Sequence, residues 1–141
     1  MDETRTVPGI GVLSRPALVG MVHLKPLPGS PRWTGRSLAH TRDAALRDAV
    51  ALLQGGCDAL IVENMGDAPY LRGAVPPEVV AAMAICTADI VDLDAPVGVQ
   101  VLAGANRDAL GVAVAAGAHF VRVEAFAYAH VADEGWLDAS A

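Results

Sequence analysis

The sequence predicts an α/β fold, the N-terminal half of a (β/α)8 (TIM) barrel, on three observations. Four short β-rich runs recur along 141 residues, each nearly continuous in apolar side chains, as in parallel strands covered on both faces. Helical stretches separate them, so the order is β-α-β-α-β-α-β, and right-handed crossovers put the strands into one parallel sheet. Polar residues gather just past each strand end, where a barrel keeps its chemistry. An open doubly wound sheet is the competing architecture. It is disfavoured because the turn after the first strand, HLKPLPGSPRW, is neither G-x-G-x-x-G nor a Walker A loop, and its prolines remove backbone donors. A whole barrel takes about 250 residues, so residues 1–141 are expected to form a single incomplete domain. It has an N-terminal extension over 1–16, then four strands and three to four helices over 17–141.

The first strand is residues 18–23, LVGMVH. A helix follows over 38–54, with Ser37 as N-cap, Gly55-Gly56 as the stop and an apolar stripe of Ala45, Leu46, Ala49, Leu52 and Leu53. The second strand is ALIV, 59–62. The next helix opens at Pro76-Pro77-Glu78, with proline and an acid suited to a first turn, and packs through Val80, Met83, Thr87 and Ile90 or Val91. VGVQVL, 97–102, is the third strand. A short helix starts at Asn106 as its cap, carries Leu110, Val112 and Val114, and stops at Gly117. HFVRV, 119–123, is the fourth strand, and the start of a fourth helix is expected beyond it.

Composition narrows the function classes. Sixteen acidic against ten basic side chains give a formal charge of -6, which argues against nucleic acid and anionic membrane surfaces as partners. Apolar runs are interrupted within a dozen residues by Arg, Asp, Pro or Gly, so no membrane span is expected. The start Met1-Asp2-Glu3 lacks a signal pattern, and the cysteines Cys57 and Cys86 have no metal-ligand spacing, so a reduced, cytoplasmic setting is expected. A parallel sheet stopped after four strands has open edges, and self-association through them is the expected consequence.

Chemistry-bearing residues fall at the strand ends. His23 suits a base or a metal ligand, and Lys25, the single lysine, suits an anion; a satisfied core histidine and a solvated lysine are the plain alternative. Glu63 follows four apolar residues in IVENMGDAPY, where partial burial would raise its pKa toward acid–base use. Asn64 and Asp67 are ligand contacts or turn formers, and Tyr70 and Arg72 lie on the same loop. Gln100, an amide within a strand, contacts a ligand or a neighbouring strand's polar group. Arg122 and Glu124 share one side of their strand and are matched by each other or by a ligand. His130, Asp133 and Glu134 follow, and with His23, Glu63 and Glu124 they offer ligands enough for a divalent metal, though without the spacing of an H-E-x-x-H signature. Catalysis is thus assigned to His23, Glu63 and Glu124. Ligand binding is assigned to Lys25, Asn64, Asp67, Gln100, Arg122, His130 and Asp133. The expected ligand is a small anionic metabolite; the cofactor stays open, a divalent metal among the options.

Four blocks, GMVHLKPLPGSPRW, DALIVENMGDAPYL, GVQVLAGANRDAL and GAHFVRVEAFAYAHVADEGW, together resemble the BtpA family, named for a photosystem I biogenesis protein and similar to ribulose-phosphate-binding barrels. The resemblance spans residues 18–141. It places the family's first block on His23, Leu24, Pro26, Leu27, Pro28, Gly29 and Ser30, and its second on Glu63, Asn64, Asp67 and Pro69. Against the commoner bacterial pattern, Gln100 replaces an Asn, Ala103-Gly104-Ala105 replaces Arg-Asn-Asp, and Glu124 replaces an Asn, as in a second branch of the family. The resemblance implies a fragment of a barrel enzyme acting on a small phosphorylated or nucleoside-like metabolite. An assembly or biogenesis factor, or an inactive truncated chain, is the alternative.

Overall fold

A computed structural model describes residues 5–7, 10–13 and 16–141; the acidic start at Met1–Glu3 lies outside them. A hairpin of β1 (Arg5–Val7) and β2 (Gly11–Leu13) precedes the main body. The body runs β3 (Val19–His23), α1 (Leu38–Gln54), β4 (Ala59–Glu63), α2 (Pro77–Val91), β5 (Val97–Gln100), α3 (Asn106–Ala116) and β6 (Phe120–Val121). These four strands form one parallel sheet in the order β3-β4-β5-β6, the first half of a (β/α)8 barrel, with β3 and β6 as its edges.

Local chemistry sets the helix ends. The Ser37 hydroxyl accepts from the Ala39 N–H at 3.2 Å, and the Gly55 N–H closes the last turn on the Ala51 carbonyl. α2 places Pro77 in its first turn, where no N–H is needed. α3 ends on Gly117 at φ +75, a left-handed cap that suits glycine.

Packing rotates the helices away from two expected stripes. α2 buries Val79 rather than Val80, together with Ala82, Met83, Cys86, Thr87 and Ile90. In α3, Leu110 and Val114 are 52% and 84% exposed. The buried face is Ala109, Val112 and Ala113, whose small alanines allow a close approach to the sheet and to α2. Arg42 of α1 clasps Asp89 of α2 with two hydrogen bonds of 2.6 and 2.8 Å.

The core lies between helices and sheet. Val22, Leu60, Val62, Val97, Val99 and Val101 meet Ala45, Ala49, Met83, Cys86, Ile90 and Val112 there. Strand alternation therefore places Met21, His23, Ile61, Glu63, Gly98 and Gln100 on the opposite, barrel-interior face. Phe120 belongs to that face too, because its ring occupies the space a side chain at Gly98 would need.

The fourth helix expected after β6 is not formed. Residues there make an antiparallel hairpin, β7 (His130–Ala132) and β8 (Gly135–Leu137), in which Val131 faces Trp136. Three residues per strand suffice because Gly135 turns at φ +103 and Leu137 is buried over Gly104. The described residues thus hold three α-helices, the lower end of the expected range.

Candidate functional site

Parallel register brings three candidate residues into one row. His23 lies opposite Glu63, and Glu63 opposite Gln100, at the C-terminal ends of β3, β4 and β5. His23 Nε2 stands 3.2 Å from Glu63 Oε2. Glu63 is only 5% exposed, and burial pushes its carboxyl above the ordinary range, against the opposing pull of His23 and Arg122 and with a small contribution from Glu124. A buried carboxyl with a raised pKa beside a half-exposed imidazole can hold and pass a proton. Gln100 is 2% exposed and its Oε1 has no hydrogen-bond partner.

Arg122 continues β6, its N–H donating to the Val99 carbonyl at 2.9 Å. Being two residues beyond Phe120, it joins the interior face. The row across the sheet is therefore His23, Glu63, Gln100, Arg122.

Asn64 and Asp67 are buried and brace three loops. The Leu27 N–H donates to Asp67 Oδ1 at 2.8 Å, Asn64 Nδ2 donates to Asp67 Oδ2 at 3.1 Å, and the Leu102 N–H donates to Asn64 Oδ1 at 2.8 Å. Gly66 sits between them so close to the chain at Leu24–Pro26 that an added Cβ would lie 2.5 Å from the Pro26 nitrogen. A small cavity of about 110 Å³ opens beside this brace, lined by Ser30, Asn64, Asp67, Tyr70 and Val79 among others. Lys25 is exposed on the first loop. The Asn-x-x-Asp spacing signalled a local turn; the long-range partners Leu27 and Leu102 were not visible in it.

Glu124 faces the loop after β5, its carboxylate accepting from the Gly104 N–H. Asn106 does not cap α3, whose N-cap is Ala105. Instead its side chain accepts from the Glu124 N–H at 3.2 Å and donates to the Glu124 carbonyl at 2.8 Å and to the Ser140 hydroxyl at 2.9 Å. His130 and Asp133 are exposed on the β7–β8 hairpin. Arg72 ties the loop after β4 to that hairpin by donating to the Trp136 carbonyl at 3.1 Å. Among the described residues, no three His, Cys, Asp or Glu side chains are grouped as a metal-binding set.

The model of the BtpA family matches residues 14–141. This chain belongs to the BtpA family. It is 42% identical over 134 residues to an uncharacterized mitochondrial protein of Caenorhabditis elegans, covering 91% of this chain and 48% of that protein. It is 40% identical over 125 residues to the photosystem I biogenesis protein BtpA of Synechocystis, covering 88% and 43%. An uncharacterized protein of Archaeoglobus fulgidus is 42% identical over 125 residues, covering 88% and 50%. The chain spans about half the length of these curated relatives.

Proposed function

We propose that the protein serves in assembly or biogenesis, the kind of role named for its Synechocystis relative. The observation that carries this reading is the 40% identity to that photosystem I biogenesis protein. The open half-barrel supports it physically. Among the described residues, β3 and β6 each pair with a single strand. Exposed apolar side chains flank both edges: Leu18 and Val19 at β3, Phe126 and Tyr128 beyond β6. Unpaired edge groups beside exposed apolar surface favour association with another polypeptide, and self-association through these edges is part of the proposal. The free thiols of Cys57 and Cys86 suit a reducing cytoplasm, and no helix among the described residues is long and apolar enough to cross a membrane.

Complementation of a Synechocystis strain lacking its own BtpA tests the reading, with photosystem I content as the readout. The chain and its His23→Ala/Glu63→Gln variant are expected to restore that content, whereas Val19→Lys, which charges the β3 edge, is expected not to. Failure of the unaltered chain to restore it overturns the proposal.

The row at the strand ends favours a second reading, a ribulose-phosphate-type barrel enzyme acting on a small phosphorylated or nucleoside-like metabolite. Its support is the buried Glu63 carboxyl paired with His23 beside an unsatisfied amide oxygen. In such an enzyme the pair would move a proton and Arg122 would meet the ligand's charge. Turnover of phosphorylated metabolites by the chain, abolished in Glu63→Gln, is the expected result; turnover unchanged by that substitution rejects it.

A further inference from the structure

We propose that Gln100 is a specificity-determining residue whose side-chain oxygen accepts a hydrogen bond from a hydroxyl or N–H of a small anionic ligand, the ligand's acid group being held by Arg122. The proposal rests on the second reading above and names its ligand class. Gln100 is 2% exposed, yet Oε1 has no donor. An acceptor kept from water without a partner carries an uncompensated desolvation cost, so such an atom at a strand's C-terminal end is suited to a bond made only when ligand arrives. Its row places it between Glu63 on one side, opposite in register, and Arg122 on the other, one strand away.

Arg122 has no carboxylate at ion-pair distance among the described residues, and the neighbouring Glu124 carboxylate is taken up by the Gly104 N–H. An exposed, unpaired guanidinium next to a buried, unpaired acceptor fits a ligand with an acid group and a hydrogen-bond donor. Gln100 and Arg122 stand on adjacent strands, about 4.8 Å apart, so donor and acid group must lie within about two to four bonds of each other. A 2-hydroxy acid and a 2-hydroxyalkyl phosphate share that chemistry.

The experiment compares two probe pairs by NMR titration of the 141-residue chain: acetate with glycolate, and methyl phosphate with 2-hydroxyethyl phosphate. The hydroxylated member of at least one pair is expected to bind about tenfold more tightly than its partner, because the analogue lacking the hydroxyl leaves Oε1 unpaired. The pair showing the preference identifies the acid as carboxylate or phosphate. Gln100→Met is expected to erase the preference while melting no lower than the unaltered chain, since it replaces an unbonded polar atom with an apolar one of similar shape. Arg122→Met is expected to weaken all the anions that bind. Equal affinity within both pairs, no binding by any probe, a preference surviving Gln100→Met, or a markedly lower melting temperature for that variant each overturns the proposal. Glu63→Gln separates it from the underlying reading. Unchanged turnover of phosphorylated metabolites in that variant defeats the enzyme reading while a Gln100-dependent preference still stands. Abolished turnover with no such preference leaves the enzyme reading and removes Gln100.

Discussion

At the mouth of the half-barrel, the ionised form of Glu63 works against the fold. Its folded pKa lies above the unfolded one because burial outweighs the pull of His23 and Arg122. The folded state therefore holds the proton more tightly, and stability falls as pH rises from the ordinary carboxylate range through the raised value, then levels off. Glu63→Gln is expected to melt at the same or a higher temperature than the unaltered chain at neutral pH, and to lose that pH-dependent component. Melts from about pH 4 to 8 check this; a lower melting temperature at neutral pH would assign net stabilisation to the His23 contact. Asp67 braces the fold through hydrogen bonds. Asp67→Ala strips partners from the buried Leu27 N–H and the Asn64 amide, and urea unfolding should show a loss of about 1–3 kcal/mol. On sequence, Glu63 was a candidate as a carboxyl just past an apolar run, and Asp67 as a ligand contact or turn former in the same segment. Only the tertiary partners distinguish a carboxyl beside an imidazole from one that braces backbone.

At the scale of elements, the close fit of β5 and β6 gives a sharper test. A methyl at Gly98 would collide with the Phe120 ring, so Gly98→Ala should destabilise by about 1–3 kcal/mol, with part recovered on adding Phe120→Leu. Denaturation midpoints of the single and double variants measure both. The bounds of α1, the start of α2 and the end of α3 were legible because Ser37, Pro77 and Gly117 act on their own neighbours. The rotation of α3 was not, since an Ala-Val-Ala face competes poorly with Leu110 and Val114 on hydrophobicity alone and prevails through close approach. The β7–β8 hairpin was also hidden. Its three-residue strands depend on Leu137 over Gly104 and on Arg72 reaching the Trp136 carbonyl, contacts between distant stretches that no local pattern records. The row His23, Glu63, Gln100, Arg122 was named residue by residue, but its alignment is a property of register between strands.

At the scale of the 141-residue chain, the four parallel strands of the described residues leave one open edge at each end of the sheet. The 141-residue chain is expected to scatter light with a mass that rises with concentration above 14.5 kDa, and Val19→Lys should lower that mass by charging one edge. A concentration-independent mass of 14.5 kDa, with strongly protected amides along β3 and β6, would show the sheet to be self-sufficient. The two edges are unlike: of the four strands in this sheet, β3 comes first in sequence and β6 last. Copies that join β6 to a neighbour's β3 therefore meet head to tail, never face to like face, and each joint presents the same free edge again. Such a contact has one natural stop, a ring. If the curvature of two half-barrels brings the last edge back to the first, growth ends at eight strands; if it misses, the same joint repeats into a filament. The curvature of the sheet thus determines whether this half-barrel yields a finite particle or a fibre.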